Sequence, residues 1–319
     1  MSVALLFSPQ GSQAVGMGRT LAVSSRAAAE VFARADAAFA WSVSDLAWNG
    51  PADRLDDTRY TQPALVTCGL AARAALLDRV QPTIACVAGH SVGEYAAIVA
   101  AGAVTLEDGV RLAARRGELM AAQGVTGGMA AVIGLDRERI EAVIADVARP
   151  TELVVANDNA PGQIVISGTE DALDAAEPAL RGAGARRVIR LNVSGAFHSP
   201  AMAPVVDDLA TALHAVEWRD ASVPVVANAT AEPLTDATRI RSGLAEQVRS
   251  PVEWVASIRR MAADGVDTFV ECGPGATLVG MVRRIAPDAT ALAVNDPATL
   301  DEAVEALAER RATPTGASV

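Results

Sequence analysis

The chain contains no lysine: all 27 of its basic residues are arginine. That excludes Schiff-base chemistry and any catalytic lysine amine. Cysteine is nearly as scarce. Cys68, Cys86 and Cys272 stand far apart, in apolar settings and without Cys-x-x-Cys spacing, so neither a disulfide framework nor a thiolate metal site is expected, only reduced core thiols. The only histidines are His90, His198 and His214, too few and too dispersed for a metal-ligand cluster. Positive charge is in deficit, with a net charge of −11, which argues against nucleic acid as a partner. No apolar run approaches the length of a membrane span. The N-terminus enters an apolar strand at Val3 without a basic leader, so neither a signal peptide nor a membrane anchor is expected, and the location expected is cytoplasmic.

What is present is enough for a full core. At 319 residues the chain suits one large domain with an insertion or a small second domain. The stretch Ile84-Ala85-Cys86-Val87-Ala88-Gly89-His90-Ser91-Val92-Gly93-Glu94-Tyr95 organises the rest. Its apolar start reads as a buried strand and 92–101 as a helix, which puts Ser91 on the sharp turn between them, where a nucleophile is exposed. Gly89 and Gly93 flank it because a β-carbon at either place would crowd the bent backbone. A plain tight turn is the competing reading.

Elsewhere the pattern alternates strand and helix. A strand at the N-terminus leads into Phe7-Ser8-Pro9-Gln10-Gly11-Ser12-Gln13, a loop placed where open α/β folds put their sites, with Gln10 as a candidate amide donor. Helices are predicted over 27–39 and 62–77, with Pro51 and Pro63 at helix starts, and over 106–120 behind a Thr105 cap. Arg111, Arg115 and Arg116 lie on this last helix, where arginine is ordinarily solvated. From Gly127 the order becomes strand 129–133, helix 137–147, strands 153–156 and 163–167, helix 170–180 and strand 187–191. That is β-α-β-β-α-β, a ferredoxin-like unit, whose second helix Pro178 should kink or shorten. The fold predicted is thus α/β, a hydrolase-like parallel-sheet large domain of residues 1–126 and 195–319 with a ferredoxin-like small subdomain at 127–194. Helices are expected over 201–216, 240–248, 252–262 and 300–308, strands near 223–226, 268–271 and 292, and a frayed tail at 313–319.

Of the histidines, His90 should point away from Ser91 on a sharp turn, and His214 sits on a helix face near Trp218. That leaves His198, in the loop Gly195-Ala196-Phe197-His198-Ser199, as the candidate base for Ser91. A loop histidine satisfied by its neighbours is the alternative.

Taken together, Gln10-Gly11-Ser12-Gln13, the Ser91 motif, Arg116-Gly117, Gly195 to Ser199, Gln247, Pro251-Val252-Glu253-Trp254 and Glu271-Cys272-Gly273-Pro274-Gly275 resemble, in order and over nearly the whole chain, the malonyl-CoA:acyl carrier protein transacylase family. The resemblance implies an acyltransferase that moves a malonyl group from coenzyme A to the phosphopantetheine thiol of an acyl carrier protein through an acyl-serine. It implies Ser91 as nucleophile, His198 as its base, backbone N–H groups of Gln10 and Val92 as oxyanion hole, and Arg116 as the carboxylate clamp. The Gln247 carbonyl would orient the imidazole. Phe197 and Val92 would favour malonyl over substituted malonyl. No metal or cofactor is implied, and a monomer is expected. One departure stands out: the family's usual Phe-Pro-Gly-Gln is here Phe7-Ser8-Pro9-Gln10.

Three rivals are open. A thioester hydrolase could use the same Ser91 and His198, although Arg116 speaks for a carboxylate-bearing cargo. An esterase would want an acid between serine and histidine, and Asp158 and Asp174 are available. A scaffold with an idle serine turn would leave every motif inherited without use. For an acidic carrier to dock on an acidic enzyme, local arginines are needed, and Arg186, Arg187, Arg190, Arg283 and Arg284 are candidates, with scattered solvated charge as the alternative.

Overall fold

A computed structural model describes residues 1–123, 127–193 and 195–312. Its strands are β1 (Val3–Phe7), β2 (Ile84–Gly89), β3 (Gly128–Ile133), β4 (Leu153–Ala160), β5 (Gln163–Gly168), β6 (Arg187–Arg190), β7 (Val225–Val226), β8 (Pro233–Leu234), β9 (Thr268–Cys272) and β10 (Thr290–Val294). They form two sheets. The larger has the order β10-β9-β1-β2-β7-β8, parallel except for the final β7–β8 pair. All five residues of β1 are buried. Val3, Leu5 and Phe7 pack on one face with the helix Thr58–Arg79, while Ala4 and Leu6 pack on the other with Trp254 and Phe269. Burial on both faces explains why this strand reads as a continuous apolar run.

The second sheet has the order β4-β5-β3-β6, antiparallel throughout, and carries helices Arg137–Val147 and Glu170–Gly182. Their apolar residues Ile140, Ile144, Leu173, Ala176 and Leu180 close a core of its own over that sheet. This is the ferredoxin-like arrangement inserted in a parallel α/β fold. A bridge between Asn157 and Val252, with Val252 N–H donating to Ala156 and Asp158 N–H to Val252, ties it to the larger sheet's side. The divisions placed at 126/127 and 194/195, like the tail at 313–319, fall at residues outside those described.

Two proline expectations are corrected. Pro178 does not shorten its helix, which continues to Gly182. Pro178 and Asp174, whose carbonyl its missing N–H would have reached, are both exposed, while Leu173, Ala176 and Leu180 keep the helix pinned. Pro63 is not at a helix start. The helix begins at Thr58 behind Asp57, whose side chain accepts the Arg59 N–H, and Pro63 lies within it. There its carbonyl accepts the Thr67 hydroxyl at 2.8 Å, in a helix whose burial outweighs one lost bond. Pro51 does stand at a helix start, as the N-cap of Ala52–Asp56, but two short helices, Arg19–Ser24 and Val43–Asn49, and strand β8 were not predicted. Each is under eight residues, too short to show a period.

The parallel strands all deliver their following loops to one edge: Gln10 after β1, Ser91 after β2, Asn228 after β7 and Gly273 after β9. The approach there is close. A β-carbon on Gly89 would lie 2.0 Å from the Gly93 carbonyl carbon, and one on Gly93 would lie 2.2 Å from the Phe7 carbonyl oxygen. Backbone cannot yield as a side-chain tip can. Gly89→Ala is therefore expected to destabilise the protein by about 3 kcal/mol, read as a lower urea midpoint at unchanged slope.

Candidate active site

Ser91 has φ of 53° and His198 φ of 56°, left-handed values that non-glycine residues hold only when their surroundings fix them. Each is fixed. Ser91 N–H donates to Asn228 Oδ1 at 2.7 Å, and Asn228 Nδ2 donates to the Gly89 carbonyl at 2.7 Å, so one asparagine bridges both sides of the turn. His198 N–H donates to the Val248 carbonyl at 3.0 Å.

The two side chains meet. Ser91 Oγ lies 2.7 Å from His198 Nε2. His198 Nδ1 faces two carbonyl oxygens, of Gln247 and of Ser250, each at 3.0 Å. Carbonyls only accept, so Nδ1 carries the hydrogen and Nε2 presents a lone pair to the serine hydroxyl. This is the tautomer a general base needs. Neither Asp158 nor Asp174 stands behind the ring. Asp158 lies 3.9 Å from Arg137, and Asp174 accepts from Arg190 at 2.5 Å, which removes the esterase triad.

Arg116 lies with them, 1% exposed, while Arg111 and Arg115 of the same helix are exposed. Its Nη2 donates to Ser91 Oγ at 3.1 Å and to Gln247 Oε1 at 3.0 Å, and its Nη1 donates to Gln62 Oε1 at 2.9 Å. No carboxylate pairs with it among the described residues, and Nε is buried without a partner. Burial lowers its pKa, opposed by Tyr95 and Glu94. Gln247 holds the cluster together, its Nε2 donating to the Ser91 carbonyl at 2.9 Å and to Glu94 Oε2 at 2.7 Å.

The remaining predicted residues fall around this cluster. Val92, fully buried, follows Ser91 at the head of helix Gly93–Ala100. Its backbone N–H and that of Gln10 have no acceptor among the described residues. The Gln10 side chain is turned aside, its Nε2 donating to Thr58 Oγ1 at 3.0 Å. Ser8, the departure in that loop, is buried and donates to Glu271 Oε1 at 3.0 Å, which anchors the loop where glycine is missing. Phe197 is 5% exposed, one residue before the imidazole. His90 does turn away, its Nε2 2.7 Å from Asn159 Oδ1 and its ring on Trp254. The three cysteines are free and buried, each pushed up to about 12 by burial. No group of three or more acidic, histidine or cysteine residues able to hold a metal occurs among the described residues, and no helix among them is long and apolar enough to cross a membrane.

Sequence reasoning missed Asn228, Gln62, Glu94 and the Ser250 carbonyl. Asn228 had a signal, since it stands two residues beyond a parallel strand at the site edge. Gln62 and Ser250 had none, because only the packing of helices brings them in.

Burial first, and then the Arg116 charge, push His198 down to about 3, against the hydrogen bonds to Ser250 and Gln247. Burial holds His90 down at about 4. With an ordinary value of 6.5 in the unfolded chain, the unfolded state binds more protons below 6.5. The stability from these two groups is therefore complete above pH 6.5 and lost as pH falls from there towards 3. The same shift sets a kinetic expectation. The rate of Ser91 acylation at low donor concentration does not fall between pH 7 and pH 5.5, whereas a base at 6.5 would lose about tenfold. Stopped-flow acylation across that range checks it.

The chain matches the acyl transferase domain family over residues 4–303. It is 40% identical to the malonyl CoA-acyl carrier protein transacylase of Bacillus subtilis (strain 168) over 311 residues, 96% of this chain and 98% of that protein. To the transacylase of the same name from Escherichia coli (strain K12) it is 40% identical over 304 residues, 95% of this chain and 98% of the other. Among solved structures, an acyl-carrier-protein S-malonyltransferase from Bartonella henselae superposes with a TM-score of 0.92 at 39% identity, covering 97% of this chain and 100% of that one. A malonyl-transacylase in complex with its type II PKS acyl-carrier protein superposes with a TM-score of 0.93 at 35% identity, covering 96% and 100%. With a parallel sheet, an inserted antiparallel sheet and this likeness along almost its whole length, the chain belongs to the acyl transferase domain family.

Proposed function

We propose that the protein is an acyl carrier protein S-malonyltransferase. The observation that carries this reading is the Arg116 guanidinium, buried beside Ser91 Oγ with no carboxylate in direct contact among the described residues. A desolvated cation of that kind suits the free carboxylate of a short acyl chain, which its planar fork can hold by two parallel bonds.

In the first half-reaction His198 Nε2 takes the Ser91 hydroxyl proton as Oγ attacks the thioester carbon of malonyl-CoA. The backbone N–H groups of Val92 and Gln10 receive the oxyanion, each such donor contributing about 3 to 4 kcal/mol. The tetrahedral adduct collapses to the acyl-serine, and His198 returns the proton to the departing thiolate. The second half runs in reverse with the phosphopantetheine thiol of a carrier protein, giving up its proton to His198 as it attacks the ester. The Gln247 and Ser250 carbonyls hold the imidazole where a hydrolase uses an acid. Each half exchanges one thiol for one acyl group, so the cycle balances with no metal, redox or organic cofactor.

Phe197, beside the base, should leave little room for a substituent on the α-carbon, and with Val92 after the serine it accompanies malonyl preference in related acyltransferases, which favours malonyl over methylmalonyl. The likeness to relatives bearing the malonyl transacylase name supports the same cargo. The likeness to a transacylase solved with its carrier supports the acceptor. Of the arginines considered for docking, Arg190 is engaged by Glu170 and Asp174, and Arg284 by Pro161 and Gln163. Arg186, Arg187 and Arg283 are exposed and are the better candidates. We place the reaction in the cytoplasm, where coenzyme A thioesters are the donors.

Mixing the protein with malonyl-CoA and taking an intact mass tests the reading. A malonyl adduct on Ser91 that moves to a carrier thiol supports transfer. Release as free malonate would make it a hydrolase, and faster labelling by methylmalonyl-CoA would overturn the cargo.

A further inference from the structure

Beside the reacting serine's backbone lies a cavity of about 270 Å³, lined by exposed Thr230, Glu232, Arg239 and Ser242 and by buried Glu94, Asn228 and Gln247. Ser91, His198 and Arg116 are not in its wall, so it is not the acyl pocket. Glu94 links this cavity's wall to the reacting cluster through Gln247. Its Oε2 accepts from Gln247 Nε2 at 2.7 Å and from the Asn228 N–H at 3.2 Å, and the same Gln247 side chain accepts from Arg116 at 3.0 Å. The other oxygen, Oε1, has no hydrogen-bond partner among the described residues. A carboxyl group with 4% exposure thus sits one amide away from the guanidinium, with that cavity beside it, and the acyl chemistry leaves it without a task.

In the empty site Glu94 and Arg116 form a cation and an anion at one remove. A substrate carboxylate on Arg116 makes two buried anions around one cation, and groups sharing a site in this way titrate as a set, one of them retaining a proton. We propose that Glu94 is the resident counter-charge of Arg116 and takes up a proton from solvent, through this cavity, whenever a carboxylate-bearing acyl group occupies that arginine. This rests on the malonyl-transfer reading and extends it.

The other charged or titratable groups around Glu94 do not substitute for it. His90 and His198 are held at about 4 and 3 and stay neutral near pH 7. The Tyr95 phenol is pushed further up by burial and by Glu94 itself. Glu232 and Arg239 hold one another at 2.6 Å on the outer wall. Burial raises Glu94 to about 7, against the bonds from Gln247 and Asn228 and the Arg116 charge, which leaves it responsive to a nearby anion. Acylation itself moves the Ser91 proton to the leaving sulfur and is neutral, so the solvent proton is additional. Glu94 acts through Gln247 and Arg116 and is a positioning residue.

The test is an indicator-dye measurement in weak buffer while malonyl-CoA acylates the whole protein, with intact mass counting Ser91 adducts in each sample. Uptake of about half a proton per adduct is expected at pH 7 and almost none at pH 5, where Glu94 is already protonated. In Glu94→Gln, which keeps an acceptor for Gln247 and Asn228, uptake at pH 7 disappears. In wild type the KM for malonyl-CoA rises by up to about tenfold per pH unit above 7, while that of Glu94→Gln stays level. Adducts without uptake at pH 7, or uptake undiminished in Glu94→Gln, would overturn the proposal and leave malonyl transfer standing. The pH 5 comparison needs no variant. Failure to form any adduct would remove the malonyl reading and this inference together.

Discussion

Replacing His198 by alanine is expected to slow acylation of Ser91 by about 10³- to 10⁴-fold, with KM for the acyl donor nearly unchanged. The reason is geometric. Nε2 is the acceptor 2.7 Å from Ser91 Oγ, and the other close partner of that oxygen is the Arg116 Nη2 donor. A donor cannot take the hydroxyl proton. Without the imidazole, attack must begin from a neutral hydroxyl or an alkoxide formed in water. The residual rate would come from the backbone N–H groups, which still stabilise negative charge. Since His198 makes no contact with Arg116 among the described hydrogen bonds, loss of the ring should not release the malonyl carboxylate. Single-turnover acylation followed by intact mass measures this directly. A loss under tenfold would mean that another group accepts the proton, and no second base lies within reach of Ser91 Oγ among the described residues.

The variant also separates catalysis from folding. The ring is buried and neutral, and its two carbonyl partners, Gln247 and Ser250, belong to one helix end and the loop after it. Their loss exposes two acceptors to a small void rather than leaving a buried charge, so the variant should remain folded.

The serine turn was legible because its physics is local: an apolar run, two glycines and a helix start lie within twelve residues. The ferredoxin-like insertion was legible for the same reason, each strand and helix carrying its own period. His198 could be reached only by elimination among three histidines, and its pairing with the Gln247 carbonyl only through resemblance, since 49 residues separate them. Asn228, 137 residues from the serine amide it accepts, became visible only when β7 was placed beside β2. Arg116 is the instructive case. Its helix period puts it between Leu112, Ala113, Leu119 and Met120 on the apolar face, whereas Arg115 beside it is exposed, but the period does not say why a charge should stand there. What buries it is the packing of its helix against Thr58–Arg79, which supplies Gln62. The misplaced prolines show the converse, a strong local signal overruled by burial around it.

Arg116→Ala should abolish selectivity rather than chemistry. Truncating one partner of a desolvated charge pair costs about 2 to 5 kcal/mol, so malonyl loading should fall by about 30- to several-thousandfold at 1.4 kcal/mol per tenfold. An acetyl donor has no carboxylate for the guanidinium to hold. It loses only the 3.1 Å bond from Arg116 Nη2 to Ser91 Oγ, and its acylation rate should change by at most about ten- to hundredfold, the worth of one charge-assisted hydrogen bond of about 1.5 to 3 kcal/mol. The ratio of malonyl to acetyl loading therefore collapses. Alanine also opens a void and strips Gln62 Oε1 and Gln247 Oε1 of their donor, which could disturb the turn by itself. Arg116→Met fills much of that space without charge and should give the same collapse, separating electrostatics from packing. Equal losses for both donors in both variants would make Arg116 a support of the serine rather than a reader of the cargo. In that event the unpaired guanidinium would no longer argue for a malonyl substrate.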